Sequence, residues 1–351
     1  MSEEPTEPRT PKNSILENRA TFSKNPPFEW RAAFARFQSV AALLLMVIGL
    51  SLHPGVSDTF LSQDNALNVL RQISVNLCLS IGMTLVILSG GIDLSVGSVL
   101  AFAGAVAAGL LKNGIVLPTF AVVAQFTALG ALIAGVLAGA LLGWFNGWVI
   151  TRFKLPPFVA TLGMLSIARG LTQLGTKGFP ITDLGAGFGF IGTGHWFGLP
   201  MPVWISAGLV ALFVLNTRKT RLGRYLYAIG GNERAAQLSG LNLRAIKLAV
   251  YTLGGALAGV AGVLLTARLD AATPSAGIGY ELDSIAAVVI GGTSLSGGRG
   301  SVLGTVLGCL IIGVLNNGLV LLEVSPFWQQ VVKGFVILAA VAIDKINARN
   351  P

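Results

Sequence analysis

Long apolar runs alternate with short polar or glycine-rich breaks over most of this chain. A helix needs about 20 apolar residues to cross the hydrocarbon core of a bilayer. Runs of that kind fall at roughly 37–55, 69–89, 95–112, 118–143 and 157–175. After a glycine-rich loop they resume at 201–216, 248–267, 283–293, 301–322 and 327–344. The pattern predicts an all-α, polytopic membrane protein of about ten transmembrane helices with broken or re-entrant segments. The run at 283–293 is too short to span and has Glu281 and Asp283 at its start, so it is expected as a half-helix or re-entrant piece.

One stretch interrupts the apolar pattern. From Arg218 to Lys247 the chain carries seven Lys or Arg against a single acid, Glu233. Positive charge beside membrane spans is retained on the cytoplasmic side, so this island is expected inside. With ten spans both termini also fall inside, together with Arg152 and Lys154, and the weakly charged 176–200 loop falls outside. Within the island Asn232 is placed to cap a helix, strong helix formers follow it, and Gly240 sits where a stop belongs. The expected short helix lies along the membrane. It offers Ala235 and Ala236 to a partner's groove, with Glu233 and Arg234 at the rim; a solvated helix that only satisfies topology is the plainer reading.

Composition agrees with the pattern. With 53% hydrophobic and 11% charged side chains over 351 residues, the chain is unlike soluble globules, where charged residues make up about a quarter. The net charge of +9 lies in short segments between apolar runs, which marks topology and not nucleic-acid binding. Cys78 and Cys309 each sit in an apolar run, and His53 and His195 are isolated, so no disulfide framework, metal site or cofactor is expected. Residues 1–36 mix Pro, Glu, Arg and Lys and read as a disordered cytoplasmic tail, too long and too acidic for a signal peptide, which leaves the first span as an anchor. Residues 37–345 then form the transmembrane domain, with 217–247 as its cytoplasmic loop and 346–351 as a second tail.

Two tracts repeat glycine every fourth residue: Gly135, Gly139, Gly143 and Gly147, then Gly300, Gly304 and Gly308. Small residues at that spacing line one helix face and let backbones approach closely, within one chain or between two copies. An internal echo is also visible. Gly90 to Leu100 resembles Gly291 to Leu303, and Asn146-Gly147 before Pro156 is followed by Asn317-Gly318 before Pro326 in the same order. A diverged duplication would account for this, although the spacings differ and the topology puts the two Asn-Gly pairs on opposite sides.

Asp93 is an acid bracketed by apolar residues, a placement that costs several kcal/mol unless the group is paired or wetted. Gly90 and Gly91 free the backbone beside it, and Ser95 and Ser98 are positioned to cap the following helix with Asp93 near its positive end. Asp93 either holds a broken helix together or lines a translocation pathway. Gln72, Asn76, Thr84, Asn146, Thr161, Asn316 and Asn317 could bind hydroxyls or tie helices to one another. Two patterns are decoys. Gly187 to Gly192 imitates a dinucleotide fingerprint without a βαβ setting and reads as a glycine-rich external loop. Gly170 to Lys177 imitates a phosphate loop with Thr and Lys in the wrong order.

Several blocks carry a family resemblance: Gly82–Ser98 (GMTLVILSGGIDLSVGS), Leu155–Gly170 (LPPFVATLGMLSIARG), Glu233-Arg-Ala-Ala with Ser239-Gly240, and Ala286–Ser301 (AAVVIGGTSLSGGRGS). In this order, from about Asn68 to Lys345, the chain resembles the ribose, xylose and arabinose permeases of bacterial ATP-binding cassette (ABC) importers. Arg234 stands where the older permease motif has alanine directly after the acid. The resemblance implies a multi-pass bacterial inner-membrane permease that moves a monosaccharide or similar polyol and does no catalysis of its own. The apolar half offers no cluster of fixed charges, so an uncharged substrate is expected. It also implies a cytoplasmic ATP-binding subunit docked on the 232–240 coupling helix, an extracytoplasmic sugar-binding protein, and a second permease copy, identical or related. The rivals are an ion-coupled secondary transporter that uses Asp93, and a membrane scaffold.

Overall fold

The structure is a computed structural model that describes residues 30–117 and 122–349. Along the chain run α1 (Trp30–Leu52), α2 (Ser57–Phe60), α3 (Gln63–Leu88), α4 (Val96–Asn113), α5 (Ala128–Phe153), α6 (Pro157–Thr176) and α7 (Ala186–Thr193). Then come α8 (Met201–Lys219), α9 (Arg221–Gly231), α10 (Glu233–Leu238), α11 (Leu243–Leu269), α12 (Tyr280–Ile290), α13 (Val302–Leu321) and α14 (Pro326–Arg349). Three two-stranded ribbons complete the described residues: β1 (Ile115–Leu117) with β2 (Val122–Ala124), β3 (Ile181–Thr182) with β6 (Ala271–Ala272), and β4 (His195–Trp196) with β5 (Leu199–Pro200). Each expected span meets one helix in order, namely α1, α3, α4, α5, α6, α8, α11, α12, α13 and α14. Six of these are long and apolar enough to cross a membrane by themselves: α3, α4, α5, α8, α11 and α13. Residues 1–29 of the expected tail lie outside the described residues, and α1 begins at Trp30, ahead of the expected 37.

One boundary is corrected by ten residues. The span expected at 118–143 is α5 at Ala128–Phe153, preceded by the β1–β2 ribbon; residues 118–121 lie outside the described residues. The Val/Ile-rich approach forms strands because Thr127 starts the helix, its hydroxyl accepting the Gly130 N–H at 3.2 Å. Lys154 in the left-handed region ends it.

Helices α3 and α11 carry the interior: 78% of the apolar window of α3 and 67% of that of α11 are buried, against 22% in α5 and α8. Bilayer lipid supplies no hydrophobic drive between helices, so association rests on close packing. The glycine tracts supply it within the chain. On α5, a side chain at Gly139 would strike Gly255 and Gly259 of α11, and one at Gly143 would strike Tyr251 and Gly255. On α13, Gly304 lies against Gly291 and Gly308 against Ala287 of α12. Elsewhere on α11, Gly254 approaches Gly82 of α3 and Gly262 approaches Leu100 of α4. The glycine-rich 187–192 segment, expected as a loop, is the helix α7, because Gly192 lets it seat directly on the backbone of Ala267 and Arg268.

The two ends of the bundle differ. At the end that carries the basic island, Leu88 of α3, Gly230 of α9 and the Gly297-Gly298 turn meet, with the Gly298 N–H donating to the Leu88 carbonyl at 3.1 Å. At the opposite end Asn65 and Asn317 exchange side-chain hydrogen bonds at 2.8 and 3.1 Å. Aromatic clusters mark each end, with Phe145, Trp148 and Phe153 at the foot of α5 and Trp196, Phe197 and Trp204 around β4 and α8.

Both halves of the glycine-rich echo are helix breaks. Residues 89–95 join α3 to α4 and residues 291–301 join α12 to α13, with Gly90 and Gly292 both in the left-handed region. The two breaks touch where Gly297 packs against Gly90. The short run forms α12, whose 11 residues reach only about 16 Å. Successive turns at 274–279 lead into it from β6, in keeping with the expected half-helix.

Candidate functional site

Three places on this scaffold carry chemistry. The first is the α3–α4 break. The Asp93 carboxylate is buried and accepts the Ser95 N–H at 2.8 Å and the Ser95 hydroxyl at 2.6 Å. The Ser95 hydroxyl in turn accepts Asn146 Nδ2 of α5 at 3.0 Å. Thr161 of α6 donates to the Ile92 carbonyl at 3.4 Å, a long bond. Asp93 accepts both Ser95 donors within the turn, while the side-chain cap of α4 expected from Ser95 is not made. Asp93 has no ion-pair partner among the described residues. Asp93→Asn keeps an acceptor for the Ser95 N–H, whereas Asp93→Ala strands it. The alanine variant is expected to cost about 1–3 kcal/mol and the asparagine variant less than half of that, read from thermal unfolding in detergent. Equal losses would show that the carboxylate charge, and not the accepting oxygen, holds the break.

The second is the basic island. Thr220 caps α9 by accepting the Gly223 N–H at 3.3 Å. The amphipathic α9 buries Gly223, Leu226 and Ile229. Tyr227 donates to the Gly300 carbonyl at 2.9 Å, and burial holds its hydroxyl above the usual range despite Arg218 nearby, so it stays a donor. Asn232 caps α10, accepting the Ala235 N–H at 2.9 Å, and Gly240 at φ +85° follows it. Ala236 is buried in the chain's own core and is not offered outward. Glu233 pairs with Lys247 at 2.7 Å. The exposed positions of α10 include Arg234, Ala235, Gln237 and Leu238, the last 83% exposed.

The third is a cleft of about 570 Å³ between α4, α6 and the 273–281 segment. Ser98, Arg169, Gln173, Thr273, Ser275 and Glu281 supply its polar lining. Arg169 Nη1 donates to the carbonyls of Pro274 and Ala276 at 2.7 and 2.8 Å, which fixes the turn ahead of α12. No group of three or more potential metal ligands occurs among the described residues.

Residues 65–341 match the family described as the branched-chain amino acid transport system / permease component. The chain belongs to this permease family. The ribose import permease of Bacillus subtilis is 49% identical over 306 residues, covering 86% of this chain and 90% of that one. Its counterpart in Haemophilus influenzae is 46% identical over 311 residues, covering 88% and 92%. The D-allose transport system permease of Escherichia coli K12 is 38% identical over 335 residues, covering 93% and 97%. This permease is accordingly a non-catalytic, multi-pass membrane component.

The permease brings Gly90, Gly91, Asp93, Ser95 and Asn146 together at one break, with the Tyr251 hydroxyl against Gly91. Thr84 lies apart, its hydroxyl 2.7 Å from that of Thr305, and Asn317 ties α13 to Asn65. Both are interhelical ties. The side-chain oxygens of Asn76 and Asn316 are buried without partners among the described residues. None of these residues lines the cleft. Sequence reading passed over Arg169, Gln173, Thr273 and Ser275, although a charged and an amide side chain inside the 157–175 run were the available signal.

Proposed function

We propose that this permease is the membrane-spanning subunit of an ABC importer that moves a monosaccharide or similar polyol across the bacterial inner membrane. The observation that carries the reading is the 46–49% identity to ribose import permeases over most of both chains. Ribose is therefore the first sugar to test. A cytoplasmic ATP-binding subunit would dock on α10, and a sugar-binding protein would deliver substrate at the opposite end. A second permease, the same chain or a relative, would complete the translocator. In this reading residues 37–345 are the transmembrane domain, 217–247 its coupling loop, and both termini are cytoplasmic, as the positive charge of the island supports. Family membership displaces the ion-coupled alternative, and Asp93 in its hydrogen-bonded turn is at hand to serve the fold.

ATP-driven closure of two ATPase subunits would push α10 as a rigid lever. Through Gly230 the push reaches Leu88 and Gly298, and so both helix breaks. Co-purification with the neighbouring ATPase tests the docking. Leu238→Asp places a charge on the exposed outer face of α10 without touching the core, and it is expected to weaken co-elution at least tenfold, about 1.4 kcal/mol, with unfolding unchanged. Gly240→Pro is expected to do the same by a different route, since proline cannot adopt a positive φ. ATPase retained undiminished by both variants would exclude α10 as the docking element.

A further inference from the structure

We infer that the cleft between α4, α6 and the 273–281 segment is one wall of the sugar-conducting path, with Gln173, Glu281 and Ser98 as its hydroxyl-binding groups. This deepens the importer reading and rests on it.

The first observation is what α6 shows to its surroundings. At 20 residues it is long enough to cross a membrane, yet it is absent from the six helices apolar enough to do so alone. Its exposed positions mix Gly163, Ser166, Gln173 and Gly175 with apolar side chains such as Leu162, Ile167 and Leu174. The exposed face of α5, by contrast, is Leu129, Ile133, Leu137, Leu141, Trp144 and Trp148, a surface suited to lipid. An amide held against hydrocarbon without a partner is costly. The Gln173 face therefore meets water or protein.

The second is space. A side chain added at Gly163, Gly170 or Gly175 would meet nothing within 4 Å, whereas the glycine tracts of α5 and α13 are filled by neighbouring backbone. The cleft lies beside this unfilled face, and its size falls within the roughly 300–1,000 Å³ of small-molecule sites. The open side is where the second permease proposed above would stand.

The third is charge. The cleft holds one cation, Arg169, and one anion, Glu281, which cancel. Arg169 is committed to two backbone carbonyls. Glu281 receives backbone N–H groups, that of Gly279 at 3.3 Å among them, and acceptor capacity remains on its carboxylate. Gln173 and Ser98 both donate and accept. A wall of mixed donors and acceptors fits vicinal hydroxyls, and the cleft's own two charges offset each other, with Lys177 on the adjoining surface.

The native thiols make a direct test possible, because Cys78 and Cys309 are both fully buried. Gln173→Cys and, as a comparison on the lipid-suited face, Leu137→Cys are reconstituted in proteoliposomes with the ATPase and binding protein. Each is then treated with a water-soluble maleimide. Gln173→Cys is expected to react at least about tenfold faster than Leu137→Cys, since the reagent requires thiolate and water. Gln173→Leu is expected to lower radiolabelled D-ribose moved per ATP hydrolysed about tenfold, the loss of one good hydrogen bond in transit, and Gln173→Asn to recover most of it. Equal labelling at the two positions, or an unchanged ribose-to-ATP ratio in Gln173→Leu, overturns the assignment. Absence of ATP-driven ribose uptake by the unsubstituted permease would instead count against the importer reading, and fast labelling at 173 would still mark a wet wall.

Discussion

Gly230→Ala is expected to force apart α9 and the two helix breaks it touches, and so to impair the transmission proposed from α10. The added methyl would strike the Leu88 carbonyl and the Gly298 amide, both backbone atoms on other elements, so no side chain can swing aside. Overpacking of this kind costs about 1–3 kcal/mol and occasionally more. Here the strain falls on the junction of α3, α9 and the Gly297-Gly298 turn. ATP-driven uptake is expected to drop more than tenfold, roughly 1.4 kcal/mol or more, with a lower midpoint of thermal unfolding. The neighbouring residue provides the control. Gly231 is exposed, is outside the left-handed region, and has nothing within 4 Å of an added methyl. Gly231→Ala should unfold no earlier than the parent chain. Uptake equal in the two variants would mean that the triple junction transmits nothing.

The second large effect is expected at an ion pair inside the bundle. Lys333 of α14 donates to Asp283 of α12 at 3.0 Å, and Asp283 is only 6% exposed. Removing the cation leaves an uncompensated carboxylate that is largely buried. A fully buried pair costs about 3–5 kcal/mol to break, and the 27% exposure of the Lys333 side chain places this one at or below the lower end. Lys333→Met should therefore melt far below the parent in detergent. Adding Asp283→Asn removes the stranded charge and should return most of the loss, because replacing both partners of a buried pair is often close to neutral. A double variant no more stable than Lys333→Met alone would show that the lysine contributes packing and not charge compensation.

Length and apolarity were enough to read ten helices, their order and a half-helix, expected at 283–293 and found at 280–290, because lipid permits so few backbone solutions. The start of α5 escaped, since β-branched residues at 115–124 extend an apolar run whether they form strand or helix. The helix α9 escaped as well. Its basic residues read as loop, and its buried face of Gly223, Leu226 and Ile229 becomes apparent only against α3 and α8. Asp93 announced itself by being an acid among apolar neighbours, and Ser95 by being two residues away. Asn146 could not be attached to them, because only the α4–α5 approach brings it to the Ser95 hydroxyl. The cleft was least legible. Gln173 and Glu281 are over a hundred residues apart and share a wall only because Arg169 and the β3–β6 ribbon hold the 270–279 stretch beside α6.

The aromatic cluster at the foot of α5 also sets a length. From exposed Leu129 to Trp148 the helix rises about 28 Å, close to the roughly 30 Å of an average hydrocarbon core, and Trp148 anchors the interfacial end. α5 is glycine-locked to α11, so it cannot tilt by itself in a thinner bilayer. The adjustment would be shared by α5 and α11 as one body, which makes membrane thickness a mechanical load on the centre of the translocator.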